Sequence, residues 1–124
     1  MKRISKRQVL LLHNKLIEES GGSDGIREDG LLESALNAPY HEFAGFSNYP
    51  TIEEKAARLG YGIIKNHPFV DGNKRIGTHI MLLLLYINGV ELVYEQEELI
   101  DIILQVASGQ ADYEELYAWV LDHE

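Results

Sequence analysis

The sequence predicts an all-α protein, a compact bundle of five to six helices around one buried central helix, with a small flap. Three observations support this fold class. Apolar residues recur with helical spacing along most of the chain. Several of these segments are preceded by Ser, Thr or Asp with Gln or Glu three residues later, the capping-box signature of a helix start. Glycine, or an Asn-Gly pair, stands where several of the helices should end.

Capping signals and helix breakers set the expected ends of the elements. Ser5 begins the first helix and the Gly21–Gly22 pair ends it. Pro39 ends the second helix, and Pro68 ends the third because proline disfavours helix at the residue before it. In chain order, the predicted helices span about residues 5–20, 29–38, 51–66, 73–87, 95–108 and 112–122.

The helix expected over residues 73–87 is apolar on nearly every face, which predicts that it is the buried central one. Asn88–Gly89 ends it, and residues 90–94 are expected to form a short extended segment. Residues 39–50 are bracketed by prolines and predict a long loop or a small flap. The flap contains four aromatic residues: Tyr40, Phe43, Phe46 and Tyr49.

Length and composition predict one domain over residues 1–124, because 124 residues with 45% apolar side chains are enough for one hydrophobic core. The lack of cysteine excludes disulfides and thiolate metal sites and suits a cytoplasmic protein. No apolar run approaches the roughly 20 residues of a membrane span, so no membrane partner is expected. The net charge of −9 argues against direct binding of nucleic acid.

The charge is unevenly distributed. Residues 76–124 contain no Lys or Arg and ten Asp or Glu. Lys74 and Arg75 stand side by side just before this acidic region. Two adjacent cations at the start of an apolar helix indicate a site for an anion.

The segment from His67 to Arg75 joins two helices and leads into the first turn of the apolar one. The first turn of a helix has unpaired N–H groups and a positive dipole end, which together attract anions. Gly72 permits a positive φ and the close approach of a ligand. With Lys74 and Arg75 beside those N–H groups, the pattern predicts a phosphate cradle.

Asp71 would repel a phosphate unless a cation lies between them, and Mg²⁺ is held in this way in nucleotide sites. His67 precedes Asp71 by four residues, and a histidine that titrates near neutral pH can act as a general base. The combination predicts transfer of a phosphorylated group to a hydroxyl. Phe69 is expected to anchor the loop in the core, and Asn73 to hold it by hydrogen bonds to the backbone.

Each of these residues also has an ordinary structural interpretation. His67 could cap the preceding helix, Asp71–Gly72 is a common turn dipeptide, and Lys74 with Arg75 could be surface charges. Their joint occurrence favours the functional interpretation.

The nine residues His67-Pro-Phe-Val-Asp-Gly-Asn-Lys-Arg75 resemble the Fic-family signature His-Pro-Phe-x-(Asp/Glu)-Gly-Asn-(Gly/Lys)-Arg and fit it at every specified position. Residues 25–36, the helix over 73–87 and the Asn88–Gly89–Val90 exit are similar to the death-on-curing (Doc) branch of that family. The likeness covers nearly the whole chain and implies the Fic fold.

The resemblance also implies roles and cofactors. His67 would be the catalytic base, Asp71 the Mg²⁺ ligand, and ATP the donor. Its phosphates would be bound by the residues that follow Asp71 in the motif: Gly72, Asn73, Lys74 and Arg75. The flap would hold the target protein through Tyr40, Phe43, Phe46 and Tyr49; alternatively, these aromatic residues pin the flap to the core.

Two reactions remain open. Lys74 stands where most AMP-transferring members have Gly, and Lys there is typical of the Doc branch, which implies transfer of the terminal phosphate, with a translation elongation factor as a candidate target. Pro68 and Gly72 resemble the AMP-transferring members, so AMP transfer is the alternative. A phosphohydrolase that uses the same cradle and a non-catalytic binding module are further alternatives.

The Doc resemblance implies the toxin half of a toxin–antitoxin pair. Many Fic proteins carry an inhibitory helix with the pattern (Ser/Thr)-x-x-x-Glu-(Gly/Asn), whose Glu pairs with the final Arg of the motif. None of the eight Ser and Thr residues of this chain is followed by Glu at the fourth position. We therefore expect an antitoxin that acts in trans, through a tail that folds to a helix over the site.

Overall fold

The computed structural model describes residues 1–124 and contains six α-helices, a short 3₁₀ turn and a two-stranded hairpin. In chain order they are α1 (Lys6–Ser20), α2 (Asp29–Asn37), the 3₁₀ turn (Ala38–Tyr40), β1 (Glu42–Phe43), β2 (Phe46–Ser47), α3 (Ile52–Asn66), α4 (Asn73–Ile87), α5 (Gln96–Ser108) and α6 (Tyr113–Asp122). The predicted all-α bundle with a small flap is confirmed.

The capping signals place the helix starts correctly. Ser5, Thr51 and Asp112 each accept a hydrogen bond from the backbone of the residue three positions on, and that residue's side chain bonds back to the cap. At α5 the sequence has no Ser, Thr or Asp at the cap, and the backbone N–H of Glu95 donates to the Glu98 side chain at 2.8 Å. α2 ends one residue earlier than predicted, because residues 38–40 tighten into the 3₁₀ turn around Pro39.

Helices α3 and α4 cross closely and bring the ends of the predicted site together. Gly77 makes this approach possible: a Cβ there would lie 2.8 Å from Ile64 Cγ1 and 3.3 Å from the carbonyl oxygen of Gly60. The loop 67–72 connects the two helices, so the geometry of their crossing fixes the position of that loop.

The most centrally placed helix is α3, which packs against α2, α4, α5, α6 and the 3₁₀ turn. α4 has the predicted bounds but is not buried on every face, since Lys74, His79 and Tyr86 are exposed. The hydropathy pattern underestimated α3 because much of its buried surface consists of alanine and glycine. The buried charged residue of α3, Lys55, donates a hydrogen bond to the carbonyl of Tyr49 in the flap.

The flap is an antiparallel hairpin with Glu42 opposite Ser47 and Phe43 opposite Phe46. Ala44 and Gly45 form its two-residue turn, and both have positive φ (53° and 82°), the requirement of a type I′ turn. Lys55 also lies within 3.2 Å of Ser47 Oγ, so the base of the hairpin is tied to α3.

The C-terminal part completes the core. Residues 90–94 have no regular strand partner, but the N–H of Val93 donates to the carbonyl of His123 at 2.7 Å. This bond joins the segment to the end of α6. None of the helices combines the length and apolarity that crossing a membrane requires.

Candidate active site

The loop 67–72 is held from outside by the segment 23–28, which precedes α2. Backbone bonds run from the N–H of Arg27 to the carbonyl of Pro68 (2.7 Å) and from the N–H of Val70 to the carbonyl of Gly25 (3.0 Å). Ile26 and Phe69 form an isolated antiparallel bridge. The motif loop is therefore the second strand of a short ribbon and not a free loop.

Phe69 anchors the loop in the core. Its side chain is 1% exposed, and its ring stacks on that of His13 from α1 with 3.8 Å between centroids. The Asn73 amide bonds both backbone groups of Phe69, accepting from its N–H at 2.9 Å and donating to its carbonyl at 3.0 Å. The side chain of Asn73 is thus fully used inside the protein, and only its main chain is available to a phosphate.

His13 is a site residue that the sequence reasoning missed. It is 2% exposed, and its Nε2 donates to the backbone carbonyl of Asp71 at 2.8 Å. This bond and the stack on Phe69 hold the middle and the C-terminal end of the motif loop from α1. The signal in the sequence was a histidine spaced four residues from Val9 and from Ile17, on the apolar face of α1.

Asp71 presents an ionised carboxylate at the site. Its two oxygens accept the N–H groups of Ser23 (3.2 Å) and of Gly72 (2.8 Å). These two bonds, with the positive charge of Arg75 nearby, hold the pKa of the Asp71 carboxyl below its ordinary value of 3.8. The carboxylate is therefore charged at any physiological pH.

Gly72 begins α4 in the left-handed conformation, with φ 77°. A Cβ at this position would lie 3.3 Å from Ile17 Cδ1 and 3.5 Å from His13 Nε2. The positive φ therefore favours glycine here, and a side chain would in addition crowd Ile17. The chain can turn sharply from the loop into the helix, so that the first turn of α4 faces the site.

Six of the sequence-predicted residues surround one small cavity of about 130 Å³. They are His67, Asp71, Gly72, Asn73, Lys74 and Arg75. Phe69 lies behind this cavity, in the core. The cavity combines the N-terminus of α4, two cations, one carboxylate and one imidazole, and its volume suits phosphate groups and not a whole nucleotide.

The two cations are held differently. The Arg75 guanidinium donates to the carbonyl of Gly21, the cap of α1, at 3.0 Å. Lys74 is exposed at the mouth of the cavity. Arg75 is thus prepositioned, whereas Lys74 can move towards a ligand.

His67 caps the end of α3 in the left-handed conformation, with φ 54° and ψ 50°. His67 is exposed and lines the cavity. Its carbonyl accepts a hydrogen bond from Nε of Arg27 at 2.7 Å. Arg27, like His13, acts on the motif from a distant part of the chain.

A larger, mostly apolar groove of about 520 Å³ opens beside the small cavity, between α1, α4 and α5. Lys74 and Arg75 line both spaces. The groove walls include the apolar residues Leu16, Leu82, Tyr94, Ile100 and Leu104. An apolar surface thus continues directly from the cationic cavity.

The flap aromatics divide into two pairs. Tyr40 lies under the Arg3 guanidinium at 3.5 Å, and Tyr49 packs edge-on to Tyr113 at 5.3 Å. These two residues pin the flap to the body. Phe43 and Phe46 are 79% and 77% exposed, so the pinning interpretation is wrong for them.

No group of three or more His, Cys, Asp or Glu side chains is arranged to hold a metal ion by protein ligands alone. A Mg²⁺ site that substrate phosphates complete needs one or two carboxylates. Asp71 supplies one, ionised and facing the cavity. The residues present therefore fit Mg²⁺ in company with a phosphorylated ligand.

Comparison with known proteins identifies the family. The model of the Fic/DOC family matches residues 3–85. "Toxin Doc" of Mycolicibacterium smegmatis is 34% identical over 100 residues, which cover 79% of this chain and 77% of that protein. "Protein kinase doc" of Escherichia phage P1 is 29% identical over 110 residues, which cover 89% of this chain and 86% of that protein. With the motif cavity, the helical fold and these matches together, the chain belongs to the Fic/Doc family.

Proposed function

We propose that this protein is the toxin of a toxin–antitoxin pair, which uses ATP and Mg²⁺ to transfer a phosphoryl group to a hydroxyl side chain of a host protein. The observation that carries the proposal is the 130 Å³ cavity in which an imidazole, an ionised carboxylate and a cationic helix N-terminus meet. Two relatives are named as a toxin and as a protein kinase, which supports both parts of the proposal.

The phosphates of ATP bind at the first turn of α4. The backbone N–H groups of residues 73–75 are in that turn, and the helix dipole adds positive potential. Arg75 supplies a charge that is already in place, and Lys74 closes on the ligand from the mouth. Mg²⁺, held by Asp71 and phosphate oxygens, would neutralise charge that develops on the phosphates.

His67 acts as general base. It removes the proton from the target hydroxyl as the hydroxyl oxygen attacks the terminal phosphorus of ATP. The new bond joins that oxygen to phosphorus, the bond from phosphorus to the bridging oxygen breaks, and ADP leaves with the electron pair. A positioned base typically contributes a factor of about 10²–10⁴ to the rate.

Lys74 favours the terminal phosphate as the group transferred. A side chain with charge at this position occupies space that glycine would leave open, so the nucleotide is expected to bind with its terminal phosphate near His67. The alternative is AMP transfer by the same motif, in which the inner phosphate lies there. Lys74→Gly should reduce phosphoryl transfer and favour AMP transfer.

The groove beside the cavity suits an antitoxin that acts in trans. Ile100 and Leu104 are 49% and 52% exposed, and an amphipathic helix could bury them. An acidic residue on that helix would reach Lys74 and Arg75 and block the phosphate site. The flap hairpin, with Phe43 and Phe46 exposed, suits contact with the host target.

The test uses purified protein, a bacterial lysate and ATP labelled either on the terminal phosphate or on the adenine. Label from the terminal phosphate alone should appear on a protein, and His67→Ala should abolish it while the fold remains intact. Adenine label on the protein would establish AMP transfer instead. If neither label appears on a protein but ATP is hydrolysed, the protein is a phosphohydrolase. If ATP is not consumed at all, the protein is a binding module.

Growth provides the second test of the same proposal. Expression of wild-type protein should arrest growth, and His67→Ala should not. Stable, high-level production of active protein without growth inhibition would contradict the proposal that the protein is a toxin.

A further inference from the structure

The backbone of His67 is in an unfavourable conformation. Its φ of 54° and ψ of 50° belong to the left-handed region, where a Cβ crowds the backbone. Pro68 follows, and the proline ring favours an extended conformation at the residue before it. Two independent steric effects therefore oppose the observed conformation, which persists only if other contacts hold it.

The side-chain contacts to the carbonyl groups of this turn come from Arg27. Its guanidinium donates through Nε to the carbonyl of His67 at 2.7 Å and through Nη2 to the carbonyl of Asn66 at 3.0 Å. Its backbone N–H donates to the carbonyl of Pro68 at 2.7 Å. Arg27 thus binds three consecutive carbonyl groups, two of which sit at the negative end of α3 where a cation is favourable.

We propose that Arg27 is a positioning residue that locks His67 in the left-handed conformation and so keeps its imidazole at the cavity. The proposal rests on the proposed function of His67 as the base. Arg27 does not line the cavity, so it acts through His67 and not on the substrate. Without the guanidinium, residues 66–68 can relax towards the extended conformation that Pro68 favours. Because the backbone sets the direction of the His67 side chain, the imidazole would then point away from the target hydroxyl.

The geometry separates this role from general support of the fold. Arg27 is exposed, so its truncation removes little packing. The backbone bond to Pro68 is independent of the side chain and stays in every variant. Lysine can donate to one of the two carbonyls but lacks the planar fork that reaches both. The kcat of Arg27→Lys should therefore lie between those of wild type and Arg27→Ala.

The experiment compares wild type, Arg27→Ala, Arg27→Lys and the control Arg7→Ala, which removes an exposed arginine of α1. The rate constant kcat of transfer should fall about 10²-fold in Arg27→Ala, because a displaced catalytic group costs that much. The KM for ATP should stay within about twofold, since the phosphate site is untouched. Methylguanidinium added to Arg27→Ala should restore part of kcat, and Arg7→Ala should behave as wild type.

The ¹³C chemical shifts of His67 report its backbone conformation without any activity. They should move from left-handed towards extended values in Arg27→Ala and return on addition of methylguanidinium. Unchanged shifts in that variant would overturn the proposal, whatever the activity. If wild type transfers nothing, the proposed function fails, while these shifts still decide whether Arg27 holds His67.

Discussion

At the scale of single residues, the motif divides into groups that hold the site and groups that face it. Both polar atoms of the Asn73 amide form hydrogen bonds with the backbone of Phe69. Asp71 accepts two backbone N–H groups yet still lines the cavity. A residue that the motif assigns to phosphate binding can therefore be needed first for the shape of the loop.

Asp71→Asn tests whether the carboxylate has a function beyond that shape. Asparagine forms turns well, so a purely structural role predicts little change in nucleotide binding. With Asp71 as the metal ligand, Mg²⁺ should strengthen ATP binding to wild type and have much less effect on the variant. Calorimetric titration with and without Mg²⁺ measures both. Equal metal dependence in the two proteins would reject the ligand role.

The same variant should change stability at low pH. The pKa of the Asp71 carboxyl is lower in the folded protein than its ordinary value of 3.8. The carboxylate therefore stabilises the fold above that pH, and this contribution is lost as the pH falls through the folded pKa. Urea unfolding across the acid range should show this loss in wild type and a flatter dependence in Asp71→Asn.

At the scale of the elements, the crossing of α3 and α4 decides where the motif loop lies. Small residues at the crossing replace the large apolar side chains that usually mark a core helix, which is why α3 looked less central in the sequence than it is. The interface tolerates no added volume on the α4 side, because Ile64 and the Gly60 carbonyl stand within 3.3 Å of a Cβ at Gly77.

Gly77→Ala should therefore destabilise the protein. Overpacking costs about 1–3 kcal/mol, and the better helix propensity of alanine returns at most about 1 kcal/mol. Gly30→Ala is the matched control, because α2 leaves open space around Gly30 and the same propensity gain should appear alone. Chemical denaturation gives both free energies of unfolding. A Gly77→Ala protein as stable as Gly30→Ala would show that α3 and α4 have room for a methyl group at their crossing.

A second prediction at this scale concerns the contact between α5 and the end of α6. His123 Nε2 lies 3.1 Å from Glu98 Oε2, and His123 Nδ1 lies 2.7 Å from the Trp119 carbonyl. The Trp119 carbonyl, and then Glu98, raise the pKa of His123 above 6.5. The backbone N–H of Glu95, and then His123, lower the pKa of Glu98 below 4.5.

The two shifts define a pH window. The His123 contribution is complete below pH 6.5 and is lost as the pH rises through its folded pKa, whereas the Glu98 contribution is complete above pH 4.5 and is lost as the pH falls through its folded pKa. The pair therefore stabilises most between these values. His123→Phe keeps an aromatic ring against Trp119 and removes the charge. A plot of its Tm against pH should therefore lack this maximum. Identical Tm profiles for the two proteins would mean that the exposed pair contributes nothing.

At the scale of the whole molecule, the sequence predicted what depends on neighbours along the chain. Capping boxes located the helices, and nine consecutive residues contained the groups that line the cavity. It did not predict what depends on distant contacts. His13 and Arg27 bond to residues 58 and 40 positions away, and neither the apolar spacing around His13 nor the residues next to Arg27 indicate those partners. The hairpin was unmarked too, because Ala44–Gly45 is not one of the usual type I′ pairs.

These distant contacts have a consequence for the order in which the protein forms. His13, Ser23 and Arg27 all hold the loop 67–72 from 40 or more positions away in the sequence. During synthesis on the ribosome, the motif emerges after α1 and the segment 23–28, and contacts of long sequence separation form late in folding. A nascent or partly folded chain therefore contains every residue of the motif without an assembled cavity. The proposed transfer activity should therefore appear only once these contacts have formed.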